Sequence, residues 1–267
     1  MKIVVCVKYV PDAQLDRTFS ASDATTDRVN VDGLLCELDE YAVEEALQVL
    51  EAGEGEVVIL TVGPEQAATA IKKSLQMGAT SGVHVVDEAI HGSDSAATSL
   101  ILAEAVRRIG DVDLVLTGMA STDGAMSVVP AMVAERLGLP QVTFASELSV
   151  TPAAAGGGGA TVRIRRDGDL AAETIEASLP AVVSVTDQIN EPRYPSFKGI
   201  MAAKKKPVLT WGLSDLGIDP AQVGLAAAWT KVESIIPRPS REQGRVITDT
   251  GDGGDQLARF LVDAKLV

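Results

Sequence analysis

Aromatic residues make up only 3% of this 267-residue chain, so its large apolar share, 46%, has to come mainly from Ala, Val, Leu and Ile. A core built from such side chains suits close-packed strands and helices. Cysteine is almost absent: Cys6 and Cys36 are too few for a disulfide framework, which fits a reducing compartment. The two histidines, His84 and His91, have no cysteine beside them, which argues against a zinc site. No G-x-S-x-G nucleophile elbow occurs, so no hydrolytic triad is indicated. No apolar run reaches the length of a bilayer span, so membrane insertion is not expected. A net charge of −14 argues against nucleic acid as a partner. With no leader ahead of the first strand, the expected location is the cytoplasm, or the mitochondrial matrix in a eukaryote.

What is present is a repeated alternation. Lys2 to Val7, Glu56 to Val62, Gly82 to Val86 and Val112 to Thr117 read as buried strands, because each is a short run rich in β-branched residues. Between them, helical spacing predicts helices from Asp39 or Glu40 to Gly53, from Pro64 to Met77, from Ser93 or Asp94 to Ile109, and from about Ala125 to Leu137. Tyr9 to Val31 is a polar excursion. Strand–helix alternation of this kind implies an α/β fold, a parallel sheet covered on both faces. From Gln141 onward the pattern becomes alternating strands, with a flexible turn over Pro152 to Gly159, a hairpin around Gly168 and a buried strand from Ala181 to Val185. The expected organisation is an α/β domain over 1–190 including the hairpin region 141–185, an exposed loop and short helix over 191–206, and an extended C-terminal arm over 207–267. That arm lacks the periodicity of a compact unit apart from a helix between Asp255 and Ala264. It is expected to wrap a partner subunit.

Ligands of open parallel sheets bind beyond the carboxyl ends of the strands. Those ends here are Cys6–Lys8, Val62–Gly63 and Thr117–Gly118. The loop Gly118 to Gly124 leaves a strand and enters a helix, a geometry that aims backbone N–H groups and a helix dipole at an anion. Ser121, Thr122 and Ser127 can add hydroxyl donors. The same small-residue composition also serves a plain connecting loop. A Walker-type P-loop is absent, and no G-x-G-x-x-G follows the first strand. Farther on, Asn190 to Gly199 carries prolines on both sides of Arg193 and Tyr194 and so reads as a stiff exposed loop. Phe197 either points outward as an anchor or folds inward to close it. Glu44 and Glu45 fit the solvent face of their helix, and Lys204 to Lys206 a solvated helix end.

Taken in order, IVVCVKYVPD, YAVEEAL, the GPEQA and MGA pair, the hairpin, LPAVVSV, NEPRY and IMAAKKK resemble the β subunit of electron transfer flavoproteins over nearly the whole length. The resemblance implies an adenine-nucleotide-binding, Rossmann-like layered domain in a heterodimer with an α subunit. That subunit would hold most of the redox FAD, and this one a structural AMP. Carried across, the nucleotide positions are Cys6, then Cys36, Glu37, Leu38 and Asp39, then Val62. The loop that follows adds Gly118, Met119, Ala120, Ser121, Thr122, Asp123 and Gly124, and continues through Ala125, Met126, Ser127, Val128 and Val129. Cys36-Glu37-Leu38 departs from the Asn-Pro-Phe of the mammalian-like pattern, and Asp123-Gly124 is similar to the electron-bifurcating branch, whose β subunit holds a second FAD. In the same way Glu191, Arg193, Tyr194, Phe197, Ile200 and Met201 fall where the family docks acyl-CoA dehydrogenases, the electrons leaving to a quinone oxidoreductase. The implied role is an electron carrier, not a stand-alone catalyst. The alternatives are a bifurcating β subunit and a stand-alone nucleotide-binding module of the universal-stress-protein kind.

Overall fold

Runs of Val, Ile and Leu set the sheet, and the pleat sends successive side chains to opposite faces. The computed structural model describes residues 1–153, 159–236, 238–240, 244 and 246–267. In chain order the elements are β1 (Lys2–Cys6), β2 (Tyr9–Pro11), β3 (Gly33–Leu35), α1 (Glu37–Glu51), β4 (Glu56–Val62), α2 (Ala68–Met77), β5 (Ser81–Val85), α3 (Ser95–Ile109), β6 (Leu114–Gly118) and α4 (Val129–Leu137). There follow β7 (Gln141–Ala145), β8 (Glu147–Thr151), β9 (Thr161–Asp167), β10 (Ala172–Ser178), β11 (Ala181–Val185), α5 (Phe197–Ala203), β12 (Val208–Trp211), the short α6 (Gly224–Ala227) and α7 (Gly253–Asp263).

Seven strands form one sheet in the order β12-β5-β4-β1-β6-β11-β7, all parallel. Ile3 and Val5 of β1 face one core with Ala42, Leu47, Ile59 and Ile71. Val4 and Cys6 face the other, with Leu60, Ile101, Val115 and Val133. Each such aliphatic side chain taken fully out of water contributes on the order of 1.5–3 kcal/mol. Strands β10, β9 and β8 make a separate antiparallel sheet, and β2 and β3 a small ribbon. The α/β expectation therefore holds, with the hairpin as the smaller sheet.

Several boundaries differ from expectation, each for a local reason. Helix α4 begins at Val129 and not near Ala125, because Ala125 and Ser127 adopt left-handed backbone with φ of 52° and 57°. Pro130 then occupies its first turn, where a missing N–H costs nothing. A short 3-10 turn, Glu65–Ala67, precedes α2. The segment from Gln141 does not start the antiparallel region; β7 is a parallel edge strand beside β11. Most of the turn expected over Pro152 to Gly159, residues 154–158, lies outside the described residues.

Pro207 does not end the sheet either. The Gly82 N–H donates to the Pro207 carbonyl, and β12 pairs with β5 as the opposite edge. Arg108 stacks over Trp211 of that strand, 5.0 Å from the ring centroid. The compact body runs from Met1 to Glu233, and Ser234–Val267 is a second unit. Within that second unit α7 is amphipathic and leaves Leu257, Phe260 and Val262 exposed.

Candidate functional site

The carboxyl ends of β1 and β6 are joined by one carboxylate. Asp39, in the first turn of α1, accepts from the Lys8 N–H at 2.8 Å and from the Gly118 N–H at 3.3 Å. It is buried, and burial pushes its carboxyl up to about 7; the bonds from Lys8 and Gly118 and the Lys8 charge act the other way. Gly118 is required by space: a Cβ there would lie 2.6 Å from Asp39 Oδ1 and 2.7 Å from the Leu38 carbonyl oxygen. Cys36 stands at the N-cap of α1, its sulfur 3.9 Å from the Ala120 oxygen. Burial, reinforced by the Asp39 charge, drives the Cys6 thiol up to about 12 and the Cys36 thiol up to about 11. Neither is a nucleophile at neutral pH.

The loop between β6 and α4 is held by cations. The Asp123 side chain is buried and receives Lys8 Nζ at 2.8 Å, Arg28 Nε at 2.9 Å and an Arg28 terminal nitrogen at 2.5 Å. Burial opposes its ionisation, but the charges of Lys8 and Arg28 outweigh it and hold the carboxyl well below the usual range. Arg17 donates to the carbonyls of Thr122 and Asp123 at 2.8 and 2.9 Å. Ser121 Oγ accepts from the Gly124 N–H at 3.2 Å and lies 3.4 Å from Lys8 Nζ. The hydroxyl of Thr122 is buried and has no hydrogen-bond partner. No side chain caps α4, since its N-cap is Val128, and Pro130 in its first turn offers no N–H.

Cys6, Cys36, Leu38, Asp39, Gly118 and the stretch from Ala120 to Gly124 are thus gathered at two adjacent strand ends. Val62 closes β4 beside β1, Glu37 points to solvent, and Met126 is exposed on the rim. Sequence reasoning missed Lys8, Arg17 and Arg28. Arg17 and Arg28 signalled only as basic residues in a polar excursion of an acidic chain, and Lys8 only as part of a strand end. Among the described residues no group of His, Cys, Asp and Glu is suited to a metal ion, and no helix is long and apolar enough to cross a membrane.

The loop after β11 lies against α1. Glu44 and Glu45 are buried there, at 4% and 5% exposure, which corrects their expected place on the solvent face. Their partners lie almost 150 residues downstream. Arg193 donates from Nε to Glu44 at 2.7 Å and from Nη1 to Glu51 at 2.6 Å, and Asn190 Nδ2 donates to Glu45 at 3.0 Å. Burial opposes the Glu44 charge, yet the Arg193 and Gln48 hydrogen bonds bring its carboxyl below the ordinary range. Burial raises Glu45. Tyr194 and Phe197 face outward at 95% and 81% exposure, with Ile200, Met201 and Glu191 also exposed. Ser196 caps α5 through the Gly199 N–H. Lys206, expected at a solvated helix end, instead donates to the carbonyls of Leu75 and Gly78 at the end of α2.

A family model described as electron transfer flavoprotein domain matches residues 24–216. The chain is 47% identical over 270 residues to the electron transfer flavoprotein subunit beta of Mycobacterium leprae, covering 99% of each chain. It is 34% identical to a caffeyl-CoA reductase–Etf complex subunit of Acetobacterium woodii, covering 94% of this chain and 93% of that one. Protein FixA of Azorhizobium caulinodans is 31% identical, with 93% and 89% covered.

Proposed function

Because the chain belongs to the electron transfer flavoprotein family, among its β subunits, we propose that it works as half of a heterodimer passing electrons from acyl-CoA and other dehydrogenases to a quinone oxidoreductase of the respiratory chain. FAD, held mainly by the α subunit, supplies the redox chemistry. This chain's own residues bind and orient. At the ends of β1 and β6 they would hold a structural AMP.

The observation that carries the nucleotide reading is the gathering of Lys8, Arg17 and Arg28 around a single carboxylate, Asp123, on the loop that leads from β6 to α4. A phosphate offsets that cationic excess. Lys8, Ser121, Thr122, Arg28 and the first turn of α4 are the groups suited to it. With Cys36-Glu37-Leu38 in place of Asn-Pro-Phe, contacts from that segment would come from its backbone. The exposed Tyr194, Phe197, Ile200 and Met201 form the docking surface for the dehydrogenase. The arm Ser234–Val267 wraps the α subunit, which would cover the apolar face of α7.

A second reading shares the fold and differs in the ligand. Asp123-Gly124 is similar to the branch in which the β site takes a second FAD. Purifying the heterodimer with its cognate α subunit, denaturing it and counting the released nucleotides separates the two. One FAD and one AMP per heterodimer is the expected result. Two FADs and no AMP would transfer the chain to the bifurcating branch, and a stable, flavin-free monomer carrying a nucleotide would overturn both.

A further inference from the structure

Arg193 makes all its side-chain contacts inward. It gives Nε to Glu44 Oε2 at 2.7 Å, one terminal nitrogen to Glu44 Oε1 at 2.9 Å and Glu51 Oε2 at 3.2 Å, and the other to Glu51 Oε1 at 2.6 Å. Its backbone N–H adds a bond to Glu44 at 3.2 Å. Four of the five guanidinium N–H groups are so occupied, which leaves one for any partner protein. One turn earlier Asn190 pins the same loop, donating to the Tyr41 carbonyl at 3.1 Å and to Glu45 at 3.0 Å. Pro192 and Pro195 restrict the backbone on either side of Arg193 and Tyr194. A buried carboxylate such as Glu44 is costly unless paired, so its presence on α1 calls for a reason other than helix formation.

We propose that Glu44, helped by Glu51, is a positioning residue for partner docking: acting through Arg193, it holds residues 190–196 on α1 so that Tyr194 and Phe197 are already turned outward before a dehydrogenase arrives. Presenting a preformed anchor removes the ordering cost that a loose loop would pay on binding. The inference rests on the reading that this loop is the docking surface, and the test is built to separate the two.

Heterodimers carrying Phe197→Ala, Glu44→Gln, both changes, or Glu51→Gln are compared as electron acceptors of an acyl-CoA dehydrogenase. The flavoprotein concentration is varied, and hydrogen exchange is followed over residues 190–199. Loss of the anchor in Phe197→Ala should raise KM roughly tenfold. Glu44→Gln should raise KM about three- to tenfold without lowering kcat at saturation, and should speed exchange in the loop. Glu51 is largely exposed, so Glu51→Gln keeps the fold if Glu44→Gln does not, and should raise KM by a smaller factor. The double variant should lose clearly less than the product of the two single effects, because the removed anchor gains nothing from being presented while Tyr194 still does. If Phe197→Ala raises KM while neither glutamate change does, the positioning role is wrong and the docking reading stands. Additive effects in the double variant would also overturn it. An unchanged KM in Phe197→Ala would remove the docking reading and the inference together.

Discussion

The body carries two charge clusters with opposite arithmetic. Around Asp123, two cations share one buried carboxylate, and Arg17 sits on the adjoining carbonyls. Around Arg193, two carboxylates share one cation. The first leaves positive charge in excess of its one carboxylate. The second has carboxylates in excess and sets Tyr194 and Phe197 facing out, with Asn190 Oδ1 buried and unpartnered beside it. A cluster with cations in excess attracts an anion, whereas one that pairs a buried carboxylate serves as a support. Helix α1 touches both, through Asp39 near its start and through Glu44 and Glu51 farther along.

The comparison breaks most visibly if Asp123 is removed. Asp123→Ala leaves Lys8 and Arg28 close together without a counterion, and should cost roughly 2–4 kcal/mol, less than for a fully buried pair because both cations are partly exposed. Thermal unfolding of the heterodimer, read together with its nucleotide content, checks this. The matching change at the other cluster, Arg193→Met, strands Glu44 in a dry position and should cost on the order of 1–3 kcal/mol in chemical denaturation. It should also change the acid response. Glu44 is held below its ordinary range, so the stability it contributes is present above about pH 4.5 and lost as pH falls through the lowered value. The variant should lack that loss.

Asp39 sharpens the contrast, because its carboxyl is pushed the other way, to about 7. Between the unfolded value near 3.8 and about 7, the folded chain keeps a proton that the unfolded chain releases. The Asp39 contribution therefore favours folding at low pH and is lost as pH rises through about 7, by roughly 1–3 kcal/mol. Asp39→Asn should flatten that slope between about pH 4 and 7 while losing one acceptor for the Lys8 and Gly118 N–H groups. The smallest effect on stability belongs to Phe197→Ala. Its side chain is exposed, so denaturation midpoints should move by no more than about 0.5 kcal/mol.

Much of the sheet was legible in the sequence, because β-branched runs such as Val57–Leu60 and Ala181–Val185 have few alternatives to a buried parallel strand. The glycine loop at 118–124 was legible for the same local reason, a strand followed by small residues. What escaped was decided at a distance. Glu44 reads as a solvent-facing helical residue until Arg193 is brought to it from far along the chain. Lys8, Arg17 and Arg28 gain meaning only when the excursion folds back onto Asp123. The start of α4 was misplaced because Ala125 and Ser127 hold left-handed backbone that their residue types do not announce. Edge strand β12 was hidden because Val208 and Leu209 stay half-exposed and β5 supplies the pairing.

The difference between the two clusters is tested most directly by titrating AMP and adenosine separately into heterodimer stripped of bound nucleotide. If the cationic excess at Lys8 and Arg28 awaits a phosphate, AMP should bind at least about tenfold more tightly than adenosine, with an advantage that shrinks as salt rises. Equal affinity for the two would contradict the account, because the phosphate would then find nothing at the strand ends that the nucleoside does not.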